Sequence, residues 1–148
     1  YKSPGGYSYE QLFSLMRTLR LSKAQALELY RRMVFNIVAR NQDDHTKNFG
    51  FILTDQQRWE LAPAFDIAFS YKPGSPWVNA HQLTLNGKRD EFTLQDLLSP
   101  AASFLKEARQ IIDEVVAIVA QWPRYAQEAG VSSPFARHIQ QCHRLTFE

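Results

Sequence analysis

Asn41-Gln42-Asp43-Asp44-His45-Thr46-Lys47-Asn48, running into Phe49-Gly50-Phe51-Ile52-Leu53-Thr54, is where the periodicity of the chain changes, and that change decides the fold. Before it, Leu27, Tyr30, Val34, Ile37 and Val38 recur at three- and four-residue intervals, which gives a long helix one buried face and an end near Arg40. After it, residues 49–54 and Arg58-Trp59-Glu60-Leu61 are short aromatic and β-branched runs around the polar turn Asp55-Gln56-Gln57. That is the pattern of a small hairpin. The polar octet therefore joins a helix to a hairpin, and loops held by rigid elements are where binding and catalytic groups concentrate.

Outward from the junction the signals are helical. Residues 1–8, rich in Gly, Pro and Ser, read as a linker, and Leu12, Phe13, Met16 and Leu19 then predict a first helix starting near Ser8. Ser22-Lys23-Ala24-Gln25 has the form of a capping box, in which the serine oxygen accepts an orphan N–H and the glutamine reaches back. Downstream, residues 62–80 contain Pro63, Pro73 and Pro76 and read as irregular. A further strand is predicted over residues 82–85, closed by the tight-turn pair Asn86-Gly87. Thr93 is a candidate N-cap, Ser99-Pro100 another helix start, and Leu105, Ala108, Ile112, Val115 and Val119 form an apolar stripe that Pro123 interrupts. Gly130 suits a helix end, and Ser133-Pro134 the cap and first position of a last helix with Phe135, Ile139 and Cys142. The expected fold is mainly α (α+β), a single domain over residues 1–148.

Composition narrows the function classes. Seventeen basic against fifteen acidic residues give a net charge of +2, too balanced and too scattered to indicate nucleic-acid binding. Arg17, Arg20, Arg31 and Arg32 read more simply as solvated helix surface than as a basic strip. No apolar run approaches the roughly 20 residues of a membrane span, and the opening residues have no signal-peptide pattern. With Cys142 as the single cysteine, a cytoplasmic location and no membrane association are expected.

The chemistry lies in three residues. Phosphoryl transfer from ATP needs a group that orients or deprotonates the attacking hydroxyl, and oxygen ligands for Mg²⁺ on the phosphates. A kinase catalytic loop supplies Asp, four residues, then Asn, and a second Asp follows. Asp43 and Asn48 have that spacing, and Asp66 in Leu61-Ala62-Pro63-Ala64-Phe65-Asp66 comes after the predicted hairpin. Magnesium prefers hard oxygen donors and keeps several waters, so one carboxylate and one amide suffice when a nucleotide contributes phosphate oxygens.

These residues resemble a known family. Asn41-x-Asp43-x-His45-x-Lys47-Asn48, preceded by Phe35-Asn36 and followed by Leu61-Ala62-Pro63-x-x-Asp66, is similar to the core of the HipA-like toxin kinases of bacterial toxin–antitoxin modules. The likeness extends through Gly5-Gly6-Tyr7-Ser8 and Leu85-Asn86-Gly87-Lys88. It implies a protein-kinase-like C-terminal lobe that phosphorylates serine or threonine with ATP and Mg²⁺, with Asp43 as catalytic aspartate and Asn48 and Asp66 as cofactor and metal ligands. His45 lies where many serine/threonine kinases place a lysine, so either its imidazole or Lys47 could approach the transferred phosphate. The implied partners are a HipB-type antitoxin, through which any DNA contact would run, and a protein substrate such as an aminoacyl-tRNA synthetase or translation factor.

The chain departs from the kinase pattern in having no Gly-rich phosphate loop and no strand lysine, so the N-terminal nucleotide-binding lobe is expected to be absent and the isolated lobe inactive. A separate N-lobe subunit could complete it. Two other readings compete: a non-catalytic kinase-like module that docks an antitoxin or subunit, and a metal-dependent hydrolase built on His45. Asp43, Asp44 and Asn48 could also be mere caps and turn residues. His81, His138 and His143 have no partner at metal-ligand spacing, and Cys142 beside His143 lacks the setting of a nucleophile.

Overall fold

The computed structural model describes residues 3–148, so Tyr1 and Lys2 of the predicted linker lie outside it. Helices α1 (Tyr9–Thr18) and α2 (Lys23–Val38) precede a two-stranded antiparallel sheet of β1 (Phe51–Leu53) and β2 (Trp59–Leu61). Helices α3 (Leu94–Leu98), α4 (Leu105–Val119), α5 (Trp122–Glu128) and α6 (Ser133–Cys142) follow. The architecture is the expected mainly helical α+β arrangement, and residues 62–80 carry no helix or strand.

The core forms where α2 packs along α4. Leu29, Tyr30, Met33, Val34 and Ile37 are all fully buried, and Ala108, Ile111, Ile112 and Val115 face them. Phe13, Tyr30 and Phe104 bring their rings within 5.4–6.4 Å of one another and tie α1 and the start of α4 into the same core. The predicted stripe on α4 needs one correction. Leu105 is exposed, because Phe104, at the N-cap with an extended φ of −148°, takes the inward place.

Caps fix the ends. Ser8 and Gln11 complete a capping box on α1, and Thr93 and Asp96 complete one on α3. The box predicted for α2 forms by half: Ser22 Oγ accepts from Gln25 N, whereas Gln25 Oε1 accepts from Leu61 N at 2.6 Å. A tertiary donor has displaced the local one, and it fastens β2 to α2. Arg32 of α2 reinforces this by donating to the Ala62 carbonyl at 2.8 Å. Gly130, with a φ of +70°, ends α5 as expected, and Val131 N returns to Ala126 O. The last helix starts one position earlier than expected, with Ser132 as its N-cap and Ser133 and Pro134 inside the first turn.

The strand predicted over residues 82–85 is not one. Thr84 makes a single parallel bridge to Ser8, and Leu85 a single antiparallel one to Lys88. The available partner is the short segment before α1, where Gly5 N, Tyr9 N and Thr84 N bond to Gln82 O, Thr84 O and Tyr7 O respectively. Residues 3–8 are thus hydrogen-bonded along residues 82–84. The Asn86-Gly87 turn forms as expected, with φ of 50° and 75° and reciprocal bonds between Leu85 and Lys88.

Replacing Ile112 by Ala, in the middle of the α2–α4 contact, should lower unfolding free energy by about 2–5 kcal/mol, whereas Ile52→Ala, on an exposed strand position, should change it by less than about 0.5 kcal/mol. Urea denaturation of the two variants beside the parent checks both.

Candidate functional site

Helix α2 delivers the polar loop through a sharp exit. Ala39 caps it, Arg40 adopts a left-handed φ of 59°, and Asn41 N bonds back to Asn36 O at 2.9 Å, the local return bond that closes a helix end at a left-handed residue. Arginine has no intrinsic preference for that conformation. Its guanidinium holds it there, lying 4.3 Å over the Tyr71 ring while Nε donates to the Cys142 carbonyl at 2.9 Å. Gln42 N donates to Ser70 O and Ser70 N to Arg40 O, so the start of the loop pairs with the segment that follows Asp66.

At its other end the loop makes a short 3₁₀ turn over Thr46–Asn48 and enters β1. Ala62 N reaches back to Gly50 O at 2.8 Å. A Cβ on Gly50 would stand 3.3 Å from Ala62 Cβ, so glycine lets the strand leading out of the loop lie close against the segment leading to Asp66. Asp66 itself has a left-handed φ of 54° and is exposed. A non-glycine residue in that region is the kind of backbone outlier that clusters at functional sites.

These constraints bring four of the five singled-out residues into one neighbourhood. Asp43 is partly exposed, and its carbonyl accepts from Asn48 Nδ2 at 2.9 Å, which fixes the Asn48 amide. With the Asn48 nitrogen committed, its Oδ1 is the atom left to act as a donor to a cation. His45 Nε2 stands 4.0 Å from Asp43 Oδ1. Partial burial pushes the Asp43 carboxyl above its ordinary range; the His45 side chain opposes this, while Asp66 and Asp44 reinforce it. Asp66 is thus close enough to be felt electrostatically at Asp43. Lys47 sits exposed on the 3₁₀ turn.

Asp44, one residue on, lives in the opposite environment. Its side chain is fully buried, its Oδ2 accepts from Tyr9 Oη at 2.6 Å and lies 2.8 Å from His81 Nδ1, and its Oδ1 accepts from Gln82 N at 2.8 Å. Burial alone would raise its pKa; His81, Tyr9 and the Gln82 amide together outweigh this and hold it below the usual carboxylate range. Tyr9 Oη in turn accepts from Asn36 Nδ2 at 3.1 Å, and Asn36 Oδ1 accepts from Asn41 Nδ2 at 2.9 Å. Sequence reasoning missed this network. The available signal was Asn36, an amide set between Phe35 and Ile37 on a helix whose face is buried; the carboxylate partner of His81 is 37 residues away and left no spacing to read.

Among the described residues no group of three or more His, Cys, Asp and Glu is placed to hold a metal. Asn48 Oδ1 and the Asp66 carboxylate are hard oxygen donors, the kind that could hold a magnesium ion completed by phosphate and water.

A model of the HipA-like C-terminal domain matches residues 1–122. The chain belongs to that family. The HipA-like domain is also 29% identical over 138 residues to a curated protein of Sinorhizobium fredii (strain NBRC 101917 / NGR234) whose printed name is "Putative kinase Y4mE". That alignment covers 93% of this chain and 27% of the relative, so the chain spans about a quarter of the longer protein. Most of α5 and all of α6 lie beyond the residues the family model matches. No helix of the structure, among the described residues, is long and apolar enough to cross a membrane.

The depressed pKa of Asp44 has a definite pH consequence. Its contribution to stability is complete above the unfolded carboxyl pKa of about 4 and is lost as pH falls through the lower folded value. Asp44→Asn should therefore be less stable than the parent at pH 7, and the gap should narrow steadily below about pH 4. Urea midpoints measured across that range for both proteins check this.

Proposed function

We propose that this HipA-like domain is the catalytic lobe of an ATP- and Mg²⁺-dependent serine/threonine protein kinase of a toxin–antitoxin module, working in the cytoplasm. The observation that carries the reading is the opposite treatment of two adjacent carboxylates beside a fixed amide. Asp44 is sealed in the interior, while Asp43 is open to an incoming group, has a raised pKa, and shares the loop with Asn48. A carboxylate whose pKa is lifted toward the working pH is better suited to take a proton from a hydroxyl.

In this mechanism Asp43 accepts or orients the hydroxyl proton of the substrate serine or threonine. Asn48 Oδ1 and the Asp66 carboxylate hold Mg²⁺, which, when bound with nucleotide, neutralises charge developing on the phosphates. His45, within reach of Asp43, steadies the carboxylate's orientation, and Lys47 on the exposed turn is the candidate for contact with the phosphate. The phosphate-gripping loop and lysine that such a reaction also uses come from a nucleotide-binding lobe outside these residues, so the domain alone is expected to transfer no phosphate. Exposed Ile52 and Leu53 on β1 and Phe65 beside Gly50 give the hairpin side of the site apolar surface on which such a lobe can rest. A HipB-type antitoxin restrains the assembled enzyme, and the substrate is a protein of the translation machinery.

The test is transfer of label from γ-labelled ATP to protein by this domain joined to a nucleotide-binding lobe. Transfer should require Mg²⁺, and Asp43→Ala and Asp66→Asn should each lower kcat by about 10²-fold or more. Transfer that survives both substitutions would take Asp43 and Asp66 out of the chemistry, and no transfer by the folded, completed protein would instead favour a kinase-like module that only docks a partner.

A further inference from the structure

We infer that Tyr9 and His81 are positioning residues for the Asp43 loop, acting through the buried carboxylate of Asp44; their catalytic importance rests on the kinase reading above. The loop is anchored on both sides of Asp43, and the Asp43 carbonyl itself accepts from Asn48 Nδ2. Asn41 is tied to α2 through Asn36, and Gln42, fully buried, donates to Val78 O at 3.1 Å and accepts from Arg40 Nη1 at 3.1 Å. Asp44 takes its three donors from α1 and from residues 81–82. Among the described residues the Asp43 carboxyl group keeps the distant His45 contact alone, so its position is set by its neighbours' bonds and its oxygens remain available.

The three donors are of unequal kinds. The Gln82 amide is backbone and survives the side-chain changes at positions 9 and 81, whereas Tyr9 Oη and His81 Nδ1 are side-chain atoms that converge on the same Oδ2. An ionised carboxylate only accepts, so Nδ1 of His81 carries the proton. The other ring nitrogen, Nε2, is buried with no hydrogen-bond partner among the described residues, and the ring meets Phe92 edge-on at 5.5 Å. The bond that matters at position 81 is therefore the one donor at Nδ1. Asparagine can supply a similar donor from its side-chain nitrogen and forfeits no bond at Nε2; leucine fills the space and supplies none. Tyr9→Phe likewise keeps the ring against Phe49, 6.0 Å away, and removes only the hydroxyl.

Amide hydrogen exchange on this domain separates loop anchoring from general stability. Tyr9→Phe and His81→Leu should speed exchange at Gln42, Asn48 and Phe49 by about tenfold or more relative to the α4 amides, while His81→Asn stays within about threefold of the parent. An equal rise through α4, no rise in the loop, or a His81→Asn variant as fast as His81→Leu would overturn the inference. In the completed kinase, His81→Leu should lower kcat more than it raises the KM for nucleotide, with His81→Asn restoring kcat; an unchanged kcat in His81→Leu also overturns the positioning role. Absence of transfer by the unsubstituted protein would remove the kinase reading, and the exchange measurement would still decide the anchoring.

Discussion

An ionised carboxylate taken out of water costs several kcal/mol unless every lone pair finds a donor, and Asp44 imposes that demand on the centre of this domain. It is met by a tyrosine from the first turn of α1, a histidine ring, and the backbone amide of Gln82. None of these belongs to the element that carries Asp44. The start of α1, the segment of residues 81–85 and the loop after α2 must therefore arrive together. Backbone bonds between residues 5–9 and 82–84 close the same triangle from outside. Because the tyrosine hydroxyl also accepts from Asn36, the demand extends along Asn36 and Asn41 into the end of α2. A half-satisfied network of this kind is worse than an apolar core, so each donor lost from it leaves a buried group unpaired.

That anchoring explains how strained backbone survives nearby. Arg40 and Asp66 both sit in the left-handed region, at a cost on the order of 1 kcal/mol each for residues with a Cβ. Neither strain is isolated. The bridge between Asn41 and Ser70 joins the two segments that contain them, and the Tyr71 ring and Cys142 carbonyl grip the Arg40 guanidinium. The C-terminal segment adds a further hold: Arg144 N donates to Val38 O at 2.9 Å, and its guanidinium pairs with Asp90. Helix α6 lies outside the family match, yet Arg144, two residues beyond its end, leads straight back to the exit of α2.

The sequence discloses features that are local. The α2 stripe, the hairpin, the Asn86-Gly87 turn and the Thr93 cap depend on neighbours within a few residues, and each is where its pattern predicts. The spacing of Asp43, Asn48 and Asp66 was legible for the same reason, since loop and hairpin are contiguous. What escaped was decided by distant partners. Gln25 had the right spacing to cap its own helix but turned to Leu61, 36 residues on. Residues 82–85 had strand composition but met only a short segment to pair with. The partners of Asp44 lie 35 to 38 residues away on two different segments, a relation with no period.

The doublet Asp43-Asp44 shows what structure adds to spacing. By composition the two residues are interchangeable, and only the count to Asn48 favours the first. Burial separates them by environment. Asp44 has spent its oxygens on three internal donors and is held below the ordinary carboxylate range, so it has neither the access nor the basicity to serve an outside group. Asp43 has its backbone fixed by Asn48, its carboxyl partly exposed and its pKa displaced upward. Two neighbouring acids driven in opposite directions by their surroundings is the usual sign of divided labour in a site. Here the division is one of burial: the Asp44 side chain is turned into the interior and bonded there, and that of Asp43 is left partly exposed.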